Sequence, residues 1–158
     1  MNLPEFRYYF EDFTVGTTYW TAGRTITEAD LVAFVNCSGL NGELFTNVEY
    51  AKSASVFGAR LSPGLLPFVL CEGLNSQGPM RGSGMALLGI EIEFSEPVLV
   101  GDTVHAEVEV IEARRSKSRP GAGLVRFRHR IMRQDGQAAI TYTALRMIKA
   151  RPAEGDSE

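Results

Sequence analysis

The chain has 158 residues, of which 44% are hydrophobic and 22% are charged, and its formal net charge is −3. This length and composition predict one soluble globular domain with its own hydrophobic core. The mildly acidic balance argues against nucleic acid or an anionic membrane surface as a partner. No apolar run reaches the roughly 18 residues needed to span a bilayer, so no membrane segment is predicted.

The N-terminal sequence and the two cysteines both favour a cytoplasmic location. Residues 1–12 contain no basic segment followed by an apolar stretch, so no signal peptide is predicted. Cys37 and Cys71 lie in apolar segments, and we interpret them as buried thiols rather than as a disulfide. They also lack the spacing of a metal site, and no metal is predicted.

Helix signals dominate the first half of the chain, after a predicted strand near Thr17–Arg24. Thr27 is a candidate N-cap with acidic residues in the following turn, where the helix dipole favours negative charge. Apolar residues then recur at helical spacing, which predicts an amphipathic helix over 28–38. Asn47 is a second candidate N-cap and predicts a short helix that ends at about Val56.

Another helix is predicted after Ser62-Pro63-Gly64, where the sequence continues LLPFVLCEGL. This segment has almost no polar face, which is typical of a helix buried on all sides. We therefore expect a central helix over about 64–75.

From residue 84 onward apolar and polar residues alternate, which is typical of strands with one buried face. Turn sequences separate the runs, and the last strand is expected over about 138–149. Four successive strands joined by turns predict an antiparallel meander that packs on the apolar helix. The residues expected to face the core include Leu88, Ile90, Ile92, Phe94, Val125, Phe127, His129 and Ile131.

Six segments occur in an order that strongly resembles the MaoC-like dehydratase and (R)-specific enoyl-CoA hydratase family: YFEDFTVGTTY, GRTITEADLVAFV, FGARLSPGLL, FSEPVLVGDTV, RSKSRPGAG and RQDG. The resemblance covers roughly residues 8–149. It implies an α+β fold with a single hot-dog domain, in which an antiparallel sheet wraps around the helix at about 64–75. It also implies a homodimer whose sheets join. Residues 1–7 are then a lead-in, and 150–158 a polar, disordered tail.

The segment SGLNGELFTNVEYA, residues 38–51, resembles the stretch in which this family holds an Asp and a His five residues apart. In the family, that pair holds and activates the water that adds to an enoyl thioester. Here the Asp position is Leu40 and the His position is Phe45, and neither side chain can carry a proton. The resemblance implies an acyl-thioester protein, while the missing pair predicts hydration that is weak, altered or absent.

The resemblance also places the thioester carbonyl at the start of the central helix. Gly64 occupies the position whose backbone N–H binds that oxygen, with Leu65 beside it. Groups in a first helical turn lack intrahelical acceptors and lie at the positive end of the dipole, so they suit such a role. Ser62 either contributes to this site or caps the helix with its hydroxyl.

Three ionisable residues are candidates for a substitute acid or base. Glu43 lies between the two lost positions; the alternative is a solvated loop acid. His129 faces the core side of its strand; the alternative is a hydrogen-bonded core residue. Glu72, the only charge in the apolar helix, matches a carboxylate that some hot-dog thioesterases use. Its alternative is a helix-end acid near Gly73 that reaches solvent or an arginine across the dimer, with Asn75 and Ser76 as possible partners.

Basic residues form two groups. One crowds a hairpin loop and is a candidate site for the phosphates of CoA: Arg114, Arg115, Lys117 and Arg119. The other is a stripe along one strand: Arg126, Arg128, Arg130 and Arg133. For both groups the alternative is a solvated face or ion pairs across a dimer.

Three functions stay open at this point. The first is a hydratase or dehydratase by descent, with weak, altered or absent activity. The second is a non-catalytic acyl-CoA binder, either a homodimer or the partner in a heteromer with a hydratase subunit that carries the Asp–His pair. The third is a thioesterase that uses Glu72. No cofactor is expected beyond the CoA thioester, as substrate or ligand.

Overall fold

A six-stranded antiparallel sheet and four helices form the fold in residues 8–152, the part of the chain that the computed structural model describes. The predicted lead-in and residues 153–158 of the predicted tail lie outside these residues. The disordered tail was predicted to begin at 150, but Ala150 is buried and donates its N–H to Gly121 O at 2.9 Å. Within them, no helix is long and apolar enough to cross a membrane. After a 3₁₀ turn at Phe10–Asp12, the elements are β1 (Thr18–Trp20), β2 (Arg24–Thr25), α1 (Glu28–Ser38), α2 (Glu43–Thr46), α3 (Val48–Ser53), α4 (Leu65–Ser76), β3 (Gly84–Phe94), β4 (Thr103–Arg115), β5 (Ala122–Arg133) and β6 (Ala138–Lys149).

The strand order is β1-β4-β5-β6-β3, with β2 also paired to β4. Strands β4, β5 and β6 form part of the predicted meander, but the prediction was wrong for β3, which pairs with β6 at the far edge. The connection over 95–102 is much longer than a tight hairpin turn, so it can carry the chain across the sheet to β4. The sheet thus curves around α4, as in the hot-dog fold.

The single strand expected near the N-terminus is two short strands, β1 and β2, that both pair with β4. The break lies at Thr21, whose side-chain oxygen accepts a hydrogen bond from Ala106 N at 2.9 Å. A side chain there takes the place of a backbone carbonyl, which interrupts the regular ladder.

The capping signals of the sequence are confirmed. Asp30 N donates to Thr27 Oγ1 at 3.2 Å, Thr27 N donates to Asp30 Oδ2 at 2.9 Å, and α1 ends at Gly39 with a φ of 73°. Asn47 caps α3 by accepting a bond from Tyr50 N at 3.0 Å. Helix α3 ends at Ser53, before the predicted end near Val56, and the single turn α2 was not predicted.

Helix α4 starts and ends within a residue of its predicted bounds, but it is not buried on all sides. Leu66 and Cys71 face the core, whereas Leu65 and Val69 on the opposite side are 49% and 50% exposed. Strand β3 differs from the prediction in the same way. Three of its four residues expected in the core are exposed, namely Leu88, Ile90 and Phe94. An apolar helix face and an apolar edge strand therefore lack cover from residues 8–152.

The core itself lies between α4 and the concave face of the sheet. Alternate residues of β4, β5 and β6 point into it, including Val108, Phe127 and Tyr142. The predicted core orientation of His129 is confirmed, since its side chain is fully buried. Cys71 is buried as expected, but Cys37 is exposed. Cys37 follows the buried Val35 by two positions, which places it on nearly the opposite side of α1.

Candidate active site

An open cavity of about 570 Å³ lies at the start of α4, and we call it the α4 cavity. Its walls come from the segment leading into α4, from the connection after β3, and from Ile140 of β6. The lining is mostly apolar, and it contains all three residues that the sequence placed at a thioester site: Ser62, Gly64 and Leu65. A mostly apolar cleft with a few convergent polar groups is the usual form of a small-molecule site.

Two backbone donors face no internal acceptor at this helix start. Leu66 N bonds to Pro63 O at 2.8 Å, but within residues 8–152 neither Gly64 N–H nor Leu65 N–H donates to another group. Gly64 is the N-cap residue, and no side chain caps it. These donors lie at the positive end of the helix dipole, so they can bind a carbonyl oxygen and stabilise negative charge on it.

Close packing also favours glycine at position 64. A Cβ added at this residue would lie 2.8 Å from two ring carbons of Phe94, closer than real contacts allow. Its backbone is helical, with φ −54° and ψ −30°, so the close approach of Phe94 rather than an unusual conformation selects glycine. The aromatic ring of β3 therefore packs directly on the backbone that would bind the ligand.

Ser62 is 2% exposed but does not cap α4. Its N–H donates to Val98 O at 2.9 Å, and its hydroxyl donates to Pro63 O at 3.3 Å. The first of these bonds ties the segment before α4 to the connection after β3. Because the hydroxyl takes none of the helix N–H groups, those groups stay available to a ligand.

The two positions of the lost pair do not line the α4 cavity. Leu40 is 41% exposed, while Phe45 packs against the core. The backbone of this segment is nevertheless held firmly. Arg60 donates to Phe45 O from Nε at 3.2 Å and from a terminal nitrogen at 2.7 Å, and it also pairs with Glu28 of α1. The segment is thus fixed to α1 and to the chain before α4, and neither Leu40 nor Phe45 has a side chain that can transfer a proton.

Glu43 is exposed at the first position of α2, where its carboxylate accepts a bond from Asn47 Nδ2 at 3.1 Å. It does not line the α4 cavity. These features match the solvated loop acid that the sequence left open as the alternative to a catalytic residue.

His129 belongs to a buried network beneath the C-terminal half of α4. Tyr19 Oη donates to Asn75 Oδ1 at 2.9 Å, so the amide nitrogen of Asn75 faces His129 Nε2, at 3.4 Å. Burial lowers the pKa of His129 to about 3, and the positive charge of Arg146 acts in the same direction. The imidazole is therefore neutral at pH 7 and accepts through Nε2, which leaves the proton on Nδ1.

Glu72 is held in place by the sheet. Tyr142 Oη donates to one carboxylate oxygen at 2.5 Å, and Arg146 pairs with the other. The tyrosine ring also stacks on the imidazole of His129, with centroids 4.2 Å apart. Asn75 and Ser76, the partners considered from the sequence, bond elsewhere. An arginine is the partner, as one alternative expected, but it comes from β6 of the same chain rather than across a dimer.

These residues form what we call the polar network, with six members: Tyr19, Glu72, Asn75, His129, Tyr142 and Arg146. Two of its buried nitrogens, His129 Nδ1 and Arg146 Nε, have no hydrogen-bond partner among residues 8–152. None of its members lines the α4 cavity. The network therefore joins the far end of α4 to the sheet rather than contributing side chains to the candidate site.

The basic residues pair with acids of the same chain. In the candidate CoA-phosphate loop, Arg114 pairs with Glu112 and Arg115 with Glu11, while Lys117 and Arg119 are exposed. None of the four lines the α4 cavity. The arginines of the β5 stripe pair with glutamates of β4 and with Asp135 in the β5–β6 turn. The pairs are Arg126–Glu112, Arg128–Glu109, Arg130–Glu107 and Arg133–Asp135. Each of these arginines therefore has an acidic partner within the same chain.

One lining residue was overlooked in the sequence. Glu96 lies in the connection after β3 and is the only ionisable residue among those that line the α4 cavity. It stands outside any strand or helix, so no periodicity marked it. The segment FSEPVLVGDTV indicates only a resemblance to the family, and nothing in its sequence distinguishes Glu96 from Asp102.

Comparison with known proteins agrees with this geometry. Residues 14–142 match the family described as "FAS1-like, dehydratase domain region". The chain is 33% identical over 112 residues to 3-hydroxybutyryl-CoA dehydratase of Methylorubrum extorquens, covering 70% of this chain and 69% of that protein. It is 34% identical over 109 residues to protein MaoC of Klebsiella aerogenes, covering 68% of this chain but only 32% of that longer protein.

Among solved structures, the fold is similar to that of a protein described as a monoamine oxidase regulatory protein from Archaeoglobus fulgius. The TM-score is 0.83 at 28% identity, with 92% of this chain and 97% of the other covered. The similarity thus extends over nearly the whole of both chains. With the match over residues 14–142, it shows that the chain belongs to the MaoC-like dehydratase and (R)-specific enoyl-CoA hydratase family, with its single hot-dog domain.

Proposed function

We propose that the protein binds acyl thioesters, with acyl-CoA as the ligand, and that the thioester carbonyl lies at the start of α4. The observation that carries this proposal is the pair of backbone donors at Gly64 and Leu65, which open onto the α4 cavity without an internal acceptor. The family and the CoA substrate named for the Methylorubrum relative support the ligand class. Because Leu40 and Phe45 replace the pair that activates water, hydration is weak, altered or absent.

A second candidate function is that of a partner subunit. It is favoured by the uncovered apolar surface of β3 and α4, which includes Leu65, Val69, Leu88 and Ile90. Edge strands and apolar patches of this kind are protected in assemblies, because otherwise they promote aggregation. The partner is a second copy of the chain or a related subunit that supplies the missing Asp and His.

The third function, thioester hydrolysis by Glu72, has less support from the contacts. Both oxygens of Glu72 are engaged, by Tyr142 and Arg146, and the residue does not line the α4 cavity. A nucleophile or base needs an unoccupied oxygen within reach of the thioester. Loss of thiol release in a Glu72→Ala variant with intact folding would argue for this function.

The test of acyl-thioester binding is titration calorimetry with crotonyl-CoA on the wild-type protein and two glycine variants. Gly64→Ala moves Phe94 and narrows the approach to the backbone donors, so we expect binding at least 10-fold weaker. Gly73→Ala is the matched control in the same helix, because no described atom lies within 4 Å of the added Cβ. Absence of wild-type binding up to millimolar concentration would contradict the proposal.

The partner hypothesis is tested separately, by light scattering of the purified protein and by pull-down with a related subunit that carries the Asp–His pair. A homodimer, or a stable heteromer whose hydration rate exceeds that of the related subunit alone, would support it. A monomer at micromolar concentration that binds no such subunit would contradict it.

A further inference from the structure

We propose that Glu96 is the general base of the α4 cavity and that it takes over proton transfer in hydration from the missing Asp–His pair. The inference rests on the acyl-thioester binding proposed above. It starts from the composition of the cavity, in which Glu96 is the only ionisable side chain among the lining residues. Within the described part of the chain, its carboxylate makes no hydrogen bond and no ion pair.

Two contacts bring Glu96 close to the helix start. Two residues before it, the Phe94 ring packs on Gly64; two residues after it, Val98 O accepts the bond from Ser62 N at 2.9 Å. Each residue spans at most about 3.6 Å of extended chain, so the backbone of Glu96 lies within roughly 7 Å of either neighbouring anchor. Because Glu96 and Gly64 line the same cavity, we place the carboxylate beside a ligand whose carbonyl is bound at Gly64.

The segment that carries Glu96 is held by further bonds. Ser95 N and Glu96 N both donate to Ala139 O, at 2.9 and 3.1 Å. Arg133 donates to Pro97 O at 2.8 Å, and its guanidinium is fixed in turn by Asp135. These bonds fix the backbone of Glu96 at the cavity wall, while its side chain is exposed and held by no hydrogen bond from the described residues.

The contrast with the other acids is what favours Glu96. Glu72 is neutralised by Arg146, and Glu43 accepts from Asn47 outside the cavity. Glu96 alone combines a place in the cavity wall with a carboxylate that makes no hydrogen bond or ion pair in residues 8–152, and the charge of Arg133 acts on it only at longer range. The wall around it is apolar, through Phe57, Pro97 and Val98, and electrostatic interactions are stronger where water is displaced.

The step needs only water and the enoyl thioester as reactants, and Glu96 returns to its starting charge. The carboxylate of Glu96 removes a proton from water as the water oxygen bonds to C3 of a trans-2-enoyl thioester. The electron pair of the C2–C3 double bond moves to C2 and the thioester oxygen, where the N–H groups of Gly64 and Leu65 stabilise the charge. Protonated Glu96 then delivers its proton to C2, which yields the 3-hydroxyacyl thioester and restores the carboxylate.

The experiment compares the wild-type protein with Glu96→Gln and Glu93→Gln in the presence of crotonyl-CoA. Hydration is followed as loss of the enoyl-thioester absorbance, free thiol is measured in the same samples, and ligand binding is measured by calorimetry. Glu93 is an exposed acid on β3 that does not line the α4 cavity, so Glu93→Gln is the matched control. Removal of a general base predicts a loss of about 10²–10⁴-fold in hydration for Glu96→Gln.

Support requires that Glu96→Gln still binds crotonyl-CoA while its hydration falls at least about 100-fold, with Glu93→Gln equal to the wild type. Unchanged hydration in Glu96→Gln would overturn the inference, as would wild-type release of thiol without hydration. A wild-type protein that binds crotonyl-CoA but does not hydrate it would also overturn the role of Glu96, while thioester binding would stand. Only a wild-type protein that fails to bind would remove the proposed function itself.

Discussion

The two ends of helix α4 differ in how their polar groups are used. At the N-terminal end, the N–H groups of Gly64 and Leu65 have no acceptor among residues 8–152, and both residues line a cavity of about 570 Å³. At the C-terminal half, Asn75 and Glu72 are bonded to the sheet through Tyr19, Tyr142 and Arg146. One end is available to a ligand, and at the other the polar side chains of the helix are bonded to the sheet.

The ionisable residues that are most conspicuous in the sequence have partners within the folded chain. Glu72 and His129 attracted attention as charged or titratable groups in apolar segments, yet both belong to the polar network. Burying a polar group without a hydrogen-bond partner costs free energy, so buried polar residues usually have partners in the folded protein. The unengaged groups at the α4 cavity are two backbone donors, which the helix start predicts, and Glu96, which no local pattern marks.

The largest expected effect comes from breaking the internally satisfied end. Arg146→Met leaves the carboxylate of Glu72 without its ion partner, and we expect the free energy of unfolding to fall by about 3 kcal/mol. This is the lower end of the range for a buried pair, because the Glu72 side chain is 20% exposed. Guanidinium denaturation at pH 7 measures the change.

The double variant Glu72→Gln/Arg146→Met is the control, since it removes both charges. It should recover much of the lost stability, as replacement of a whole buried pair often does. If the free energy of unfolding of Arg146→Met lies within about 0.5 kcal/mol of the wild-type value, the pair contributes no more than a surface salt bridge.

A change of pH probes the same end through His129. The pKa is about 3 in the folded protein against 6.5 as the ordinary value, so the unfolded chain binds a proton first as pH falls. The contribution of His129 to the free energy of unfolding is complete above pH 6.5. It is lost progressively as the pH falls to about 3, by up to about 1.4 kcal/mol per pH unit. Denaturation curves between pH 7 and pH 4 give the slope.

His129→Gln should reduce that slope, whereas His105→Gln, on the outer face of the sheet, should leave it in place. Other groups also titrate in this range, so the comparison is between slopes and not between absolute stabilities. Equal slopes in the wild type and His129→Gln would contradict the assignment of a neutral, buried imidazole.

At the open end, we expect a smaller change in stability but a large change in binding. Gly64→Ala forces Phe94 to move and should cost about 1 kcal/mol, the low end for overpacking, because the ring is half exposed and can shift. Adding Phe94→Ala removes the clash, so the double variant should lose less stability than the two single changes together. Additive losses would mean that the contact between residue 64 and the ring is not the cause.

The smallest effect is expected at Gly73, in the interior of α4. Gly73→Ala meets no described atom within 4 Å and should stabilise the protein by about 0.5–1 kcal/mol through helix propensity. Thermal unfolding measures the gain, and acyl-CoA binding should be unchanged. A loss of stability would indicate that this face of α4 is covered in an assembly.

Local sequence signals predicted most of the individual elements. The caps at Thr27 and Asn47, the extent of α4 and the strands β4 to β6 all follow from short-range spacing, and the structure confirms them. Period-two alternation did not predict the exposure of β3. Alternation shows that a strand has one apolar face, but not whether this chain covers it.

Ordered segments and local propensity were enough to predict the family, the hot-dog architecture and the glycine at the start of the central helix. The pairing of β3 with β6, the neutralisation of Glu72 by Arg146 and the place of Glu96 in the wall of the α4 cavity emerge only in the folded chain. Each of these depends on residues that are far apart in sequence. Glu72 and Arg146 are 74 residues apart, and the choice among such distant partners is made by the packing of the whole sheet around α4.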